Sequence, residues 1–347
     1  MNGPHVDQAD ELGYLCVDDF VADFVGARAL ASALETGLID DLVQHQPCAP
    51  TDLAARRGMD GRGLRLLLDM LRANRVVEHG DGLIKLSVPF MAALRYRDLL
   101  ETKLYFANLV APDFLDLFTV LLTNPARFAE KARVFDLFSY GRCFEPSPQN
   151  YQLTARWMRI TTAFTKYEAA VCLKHHDFSR YRRHLDIGGN SGEFALRICK
   201  QHPRLRSTVV DLPLVCETGA KHVSAEPEAH RIAFVKSAGT QDATPQGFDL
   251  VTFKSMLHDW PDQEMQHFLE KAHRSLVPGG TLLIFERAQM EVGGAQVPYA
   301  FIPFMLFFRS YRAPEVYREH LERLGFHDIE IQVVELEMPF ILITAKK

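Results

Sequence analysis

The chain lacks most of the short patterns that would settle its function at once. It has no CxxC pair: Cys16, Cys48, Cys143, Cys172, Cys199 and Cys216 are scattered singly. That usage is expected of reduced thiols in a cytoplasm, not of a disulfide framework. It has no HExxH motif, and His175 and His176 in "LKHHDF" are neighbours that would point to different sides of a helix, so no metal is expected. No run reaches the roughly 18 apolar residues of a membrane helix. The opening "MNGPHVDQADELGYL" has acidic residues and no apolar core, unlike a secretory leader. No membrane partner is therefore expected. Positive charge is not in excess: 39 Lys and Arg face 44 Asp and Glu, a net charge of −5, which argues against a nucleic-acid partner. Internal repeats and low-complexity tracts are missing too. What is there, 347 residues at 47% hydrophobic and 24% charged, suits a globular enzyme with room for two domains.

Three regions differ in pattern. Residues 1–98 hold helices and then a small β-wing. "APTDLAARRGMDGRGLRLLLDMLRANRVVEHGDGLIKLS" predicts a short helix capped by Thr51, a turn at Gly58 to Gly63, and a second amphipathic helix. Two strands should follow, around Gly80-Asp81-Gly82. This is a winged-helix pattern and raises DNA binding as a function class. Between Thr51 and Ser87, however, seven basic residues face five acidic ones, and the would-be recognition helix carries the apolar face "LRLLLDML". A helix that reads a major groove presents polar side chains to base edges. Packing against another domain or subunit is the better reading, and a DNA-binding regulator stays a remote one.

Residues 99–178 are helical and rich in aromatics. From 179 to 347, short apolar runs alternate with helical segments: "HLDI", "STVVD", "IAFVKS", "FDLVTFK" and "GTLLIFE". That alternation predicts an α/β fold with a mostly parallel sheet and crossover helices. "DIEIQVVEL" and "PFILITAKK" read as a closing hairpin around Glu337-Met338-Pro339.

The stretch "HLDIGGNSGEFALRI", His184 to Ile198, is the most informative. A strand ends in Asp-x-Gly-Gly and turns into a helix, where backbone N–H groups and the helix dipole converge. The dinucleotide pattern GxGxxG fails because Asn190 and Glu193 stand where glycines are needed. There is no Walker lysine, so phosphate cradling is not expected. Asp186 would repel a pyrophosphate and suits a cationic or hydroxylated ligand. Asn190 takes a left-handed conformation more easily than most residues. Nineteen residues after Gly192, "VVDLP" puts Asp211 at the end of the second strand, where a ribose diol would be held by two hydrogen bonds. The competing role for Asp211 is to cap the helix beginning at Pro213.

Taken in order, "LDIGGNSG", "VVDLP", "KSMLHDWPD" and "LVPGGTLLIFE" resemble the class I S-adenosylmethionine-dependent methyltransferases. More narrowly, the chain is similar to the caffeic acid and hydroxyindole O-methyltransferases and their bacterial small-molecule relatives, over nearly its whole length. The resemblance implies a Rossmann-like catalytic domain with a seven-stranded sheet, preceded by a winged-helix-like domain that makes a homodimer. It implies S-adenosylmethionine as cofactor, S-adenosylhomocysteine as its product, and no metal. It places Asp186 and Gly188 along the methionine part of the cofactor, Asp211 at the ribose, Lys254 beside the sulfonium, and Gly189 and Leu212 among the other cofactor contacts. His258 matches the family's general base and Glu286 the acid that orients it. A phenol near pKa ~10 is mostly protonated at neutral pH, and an imidazole can take that proton as the oxygen attacks. Asp259 is a further catalytic candidate or a helix cap, and Trp260 is expected near the adenosine.

The sequence departs from the family at two places. The family's second acid beside the histidine falls on Tyr311 in "FFRSYRAPEVY". Ala238 stands where an acid usually meets the adenine amine, with Asp242 nearby as a substitute. An acceptor pocket is expected from Phe106, Trp157, Met158, Phe164, Phe304, Met305, Phe308 and Tyr311, a wall suited to a flat apolar small molecule. The expected function is methyl transfer to a hydroxyl of a small aromatic or polyketide-like acceptor in secondary metabolism. Methylation at nitrogen or carbon, or a non-methyl reaction on the same fold (decarboxylation, hydroxylation or rearrangement), is the alternative that Tyr311 motivates.

Overall fold

A computed structural model describes residues 12–237, 242, 244–294 and 296–347. The chain forms two compact units, Met1–Val134 with Val292–Leu306, and Phe135–Glu291 with Phe307–Lys347.

The first unit is helical with one β-ribbon. Asp23 caps the helix Phe24–Glu35 by accepting from Gly26 N at 2.8 Å. Thr51 does not cap the next-but-one helix, Pro50–Arg57: the N-cap is Ala49, without a side-chain bond, and Thr51 lies within the helix. Pro50 fills the first turn, where a missing N–H costs nothing. The amphipathic helix Gly61–Ala73 starts on Asp60, which accepts from Gly63 N at 2.7 Å. Its Leu64, Leu68 and Leu71, spaced as one helix face, are buried. Strands β1 (Val77–Gly80) and β2 (Leu83–Leu86) pair antiparallel across Asp81 and Gly82, both with positive φ. That is the two-residue turn the sequence predicts.

Val88–Thr123 corrects one expectation: by length and composition it could cross a membrane. Its charges gather at Arg95, Arg97, Asp98, Glu101 and Lys103, and the apolar stretch after them is interrupted only by Asp113 and Asp116, so a count of uninterrupted apolar runs missed it. In the fold the long helix Arg97–Thr123 carries Asp113, buried and accepting from Val134 N at 2.8 Å. The segment 292–306 returns to this unit. Tyr299 donates to Asn108 Oδ1 at 2.8 Å, and its backbone N–H bonds Ala22 O at 2.7 Å.

The second unit is built on β3 (Arg183–Ile187), β4 (Arg206–Asp211), β5 (Ile232–Lys236), β6 (Phe248–Lys254), β7 (Leu276–Arg287), β8 (His327–Val334) and β9 (Phe340–Lys346). They form one sheet in the order β5-β4-β3-β6-β7-β9-β8. The first five run parallel; β9 is antiparallel to β7 and to β8, closing the sheet by the expected hairpin. Leu185, Ile187, Val251, Phe253, Leu282 and Ile284 anchor a core in which Leu269, Tyr317 and Leu321 from the covering helices are also buried. These strands are continuous apolar runs because crossover helices leave little of either face to water. Strand order reverses between β3 and β6. Open α/β sheets bind ligands beyond the carboxyl ends of the strands at such a point. The helix Pro148–His175 sets Thr161, Thr162, Thr165 and Glu168 against those ends.

Candidate functional site

The turn after β3 has the backbone its sequence requires. Gly188, Asn190 and Gly192 all have positive φ, at 70°, 52° and 74°. Gly188 could carry no side chain: a Cβ there would lie 2.4 Å from Met256 Cγ. Asn190 holds its left-handed form with help from both sides. Its N–H donates to Asp211 Oδ2 at 2.8 Å, and its Oδ1 accepts from Ser191 N and from Thr161. Asp211 Oδ1 accepts from Leu212 N at 2.7 Å. It does not cap the following helix, Pro213–Val223, whose N-cap is Leu212 without a side-chain bond. Burial outweighs those two N–H bonds and pushes the Asp211 carboxyl up to about 6. The residue nevertheless stays partly exposed, so it lines an opening rather than the core.

Asp186 lies deeper. A buried relay fixes it: Thr252 donates to Asp186 Oδ1 at 2.6 Å, so Thr252 must accept from His184 Nε2 at 2.8 Å. His184 Nδ1 then accepts from Ser207 at 2.8 Å. Burial holds that imidazole neutral, with its pKa lowered to about 3. Asp186 Oδ2 is buried with no hydrogen-bond partner among the described residues. Burial pushes this carboxyl up to about 7, against Thr252 and the more distant Lys254. A buried carboxylate oxygen left without a donor is costly. A ligand bringing an ammonium group would satisfy it. The pair Asp186 and Asp211 therefore fits a ligand with a cation at one end and vicinal hydroxyls at the other. The residues present suit an aminoacyl nucleoside.

The second half of the site follows β6 and β7. Glu286, fully buried on β7, has one oxygen bound by Met256 N and Leu257 N at 2.7 Å each; the other meets His258 Nδ1 at 2.5 Å. On the far side of the ring, His258 Nε2 lies 3.4 Å from Asp259 Oδ1. Burial alone would lower the His258 pKa, but the carboxylates of Glu286 and Asp259 outweigh it and raise the pKa above the ordinary value. Burial would likewise raise Glu286, and His258 with the two backbone N–H groups brings it below its ordinary value instead. Asp259 does not cap the next helix, Asp262–Ser275, whose N-cap is Pro261. Its Oδ2 accepts from Tyr140 at 2.7 Å. Tyr311 is buried with its ring centroid 5.5 Å from that of His258. Trp260 packs on Phe268 at 5.2 Å and stacks toward Tyr140 at 6.2 Å. An imidazole oriented at Nδ1 by a carboxylate can take a proton at Nε2.

Lys254 is not a bare cation. Its ammonium bonds Glu168 Oε2, and Thr165 Oγ1 at 3.0 Å. Of the pocket residues expected from sequence, Trp157, Met158 and Phe164 are buried in the second unit, with Phe308 part-exposed there. The indole N–H of Trp157 has no hydrogen-bond partner among the described residues, and its ring lies 5.2 Å from Tyr140. Phe106, Phe304 and Met305 belong to the first unit, where Phe304 packs on Phe301 at 5.6 Å. The chain thus divides "YAFIPFMLFF" between its two units. Ala238 lies outside the described residues, while Asp242 acts on Lys271. Sequence reading missed Tyr140, Glu168, Thr252 and Arg287. Only the spacing of Thr161, Thr165 and Glu168 along one helix face could have flagged the second of these.

Residues 121–327 match the family model of the O-methyltransferase domain. The chain is 28% identical to 3-hydroxy-5-methyl-1-naphthoate 3-O-methyltransferase of Streptomyces sahachiroi, over 75% of this chain and 73% of that one. It is 26% identical to 3-amino-4-hydroxybenzoate 4-O-methyltransferase of Streptomyces cremeus, over 95% and 89%. Among solved structures it superposes on human N-acetylserotonin methyltransferase in complex with SAM with a TM-score of 0.65, at 23% identity, covering 100% and 99%.

Proposed function

Since the chain belongs to the O-methyltransferase family, we propose that it transfers the methyl group of S-adenosylmethionine to a phenolic hydroxyl of a small aromatic or polyketide-like molecule, with His258 as general base. The observation that carries this reading is the clamp on His258: a fully buried carboxylate on Nδ1 at 2.5 Å, with Nε2 turned to the other side. When bound, the cofactor supplies an electrophilic methyl group with a neutral thioether as leaving group. The protein's part is to position and to move one proton. Asp186 takes the ammonium end of the cofactor and Asp211 its ribose, with Gly188, Gly189 and Leu212 allowing the backbone close to it. Glu286 holds the imidazole in the tautomer whose Nε2 accepts the acceptor's proton, and it stabilises the imidazolium that forms. Met158, Phe308 and Tyr311 give an aromatic ring apolar contact. Trp157, whose N–H has no partner among the described residues, offers a donor to an oxygen of the acceptor. The naphthoate and hydroxybenzoate named for the two relatives agree with a flat phenolic acid or its like.

The second acid that this family places near the histidine is here Tyr311, which favours a non-methyl reaction. Asp259, 3.4 Å from Nε2, supplies a carboxylate to that nitrogen instead and supports the methylation reading. In the same reading the helical first unit, with its exposed Phe24, Val25, Leu66 and Val88, is the dimerisation domain of a homodimer. The proposed division of labour is dimerisation through residues 1–98 of the first unit and chemistry in residues 179–347 of the second. Incubation with S-adenosylmethionine and a panel of phenols, followed by mass analysis, should show one added methyl group. His258→Ala should cut turnover about 10²–10⁴-fold at unchanged cofactor affinity. Full turnover in that variant would leave positioning alone as the source of catalysis.

A further inference from the structure

A buried charge cluster joins the two halves of the site. Glu168, on the helix Pro148–His175, uses its two oxygens on two cations: Oε2 on Lys254 Nζ and Oε1 on Arg287 Nη2, the latter at 2.5 Å. Lys254 ends β6 and Arg287 ends β7. All three side chains are nearly sealed, at 2%, 7% and 8% exposure. Arg287 also faces Glu337 at 3.7 Å and lies over the Phe340 ring at 4.9 Å. Lys254 acts on the Asp186 carboxyl, while Arg287 acts on His258 and Asp259. The cluster thus acts both on the acid assigned to the cofactor's ammonium and on the base assigned to the acceptor.

A cationic donor would meet two fixed cations there if nothing cancelled them. We propose that Glu168 is the specificity-determining counter-charge of this site: by offsetting one of the two positive charges of Lys254 and Arg287, with Glu337 beside Arg287 for the other, it lets the site prefer the sulfonium cofactor over its neutral thioether product. Cofactor and product differ by one methyl group and one positive charge. Their affinity ratio therefore reads the local charge and is insensitive to changes in fit that affect both. The inference rests on S-adenosylmethionine being the cofactor.

The test is calorimetric titration of the intact protein with S-adenosylmethionine and with S-adenosylhomocysteine, from about pH 6.5 to 8.5. For a generic separation on the order of 8 Å and an effective dielectric of about 20, losing one buried charge is worth about ten- to thirty-fold in affinity. Glu168→Gln keeps the shape of the side chain. It should cut the preference for the sulfonium form by that factor. Lys254→Met should move the preference the other way. The double variant, balanced again in charge, should return to the wild-type ratio and also serves if Glu168→Gln alone fails to fold. A ratio that stays constant across the variants, with both ligands weakened alike, overturns the proposal and leaves Glu168 a structural brace. A wild-type protein that binds neither ligand overturns the cofactor reading itself.

Discussion

Asp186→Asn should make the ligand-free protein more stable at alkaline pH while depriving it of cofactor. Asp186 is 1% exposed, accepts from Thr252, and has an oxygen without a donor among the described residues. Its carboxyl is pushed from 3.8 to about 7. A folded-state value above the unfolded one means that the native protein holds this proton more tightly. The stabilisation is complete below the unfolded value, near 4, and is lost as pH rises through about 7. A difference of slightly over three pH units, at about 1.4 kcal/mol each, sets an upper bound of about 4 kcal/mol. Screening by solvent reduces this to ~2 kcal/mol, or roughly 4–8 °C in Tm for a unit of this size. Thermal melts at about pH 5 and pH 8 measure it. Wild type should lose stability across that interval. Asp186→Asn should lose only the smaller part due to Asp211. At pH 8 the variant should melt above wild type, yet bind S-adenosylmethionine at least tenfold more weakly for want of the carboxylate. Parallel melting curves for the two proteins would refute the reasoning, because Asp186 would then titrate as an ordinary carboxyl.

Glu286→Gln removes the strongest of the charges that raise His258, so the acidic limb of the turnover profile should move to lower pH, at a reduced plateau; a limb that stays in place separates His258 from that limb. Asp211→Ala should weaken S-adenosylmethionine by roughly 1–3 kcal/mol in a calorimetric titration, since the ribose hydroxyls lose their acceptor. Light scattering at micromolar concentration should find a dimer with an interface above roughly 2,000 Å²; a monomer would sink the assignment of the first unit.

The strands were legible because they are buried on both faces and so read as continuous apolar runs. All seven strands of the large sheet lie where "HLDI" to "PFILITAKK" place them, within a residue or two except at the start of β7. The turn at Gly188 to Gly192 was legible because its left-handed positions admit few residue types. Side-chain partners across the fold were not. Nothing local to Asp259 announces Tyr140, which is 119 residues earlier, and nothing local to Lys254 announces Glu168, 86 residues earlier. Helix caps misled for a related reason. Thr51 and Asp211 sit within or just before a helix that opens on proline, which needs no capping partner at that position, and Pro261 takes the N-cap place ahead of Asp262–Ser275 that Asp259 was expected to fill. The unit boundary after Leu306 was hidden because "YAFIPFMLFF" is uniformly apolar, whichever unit covers it.

The place of β9 in the sheet has a consequence in time. It lies between β7 and β8 and pairs Ile341 with Glu286 in register. Of all the strands in the sheet, β9 is synthesised last, yet it is an interior one. While a nascent chain is still being extended, β7 has an open edge, and the carboxylate that orients His258 is within reach of water. A ribosome-bound chain can assemble the β3-to-β5 side of the sheet, with Asp186 and Asp211, before it can assemble the histidine clamp. In the proposed reading, ligand binding should therefore precede competence for proton transfer as the sheet assembles, because β9 has yet to join β7 beside Glu286.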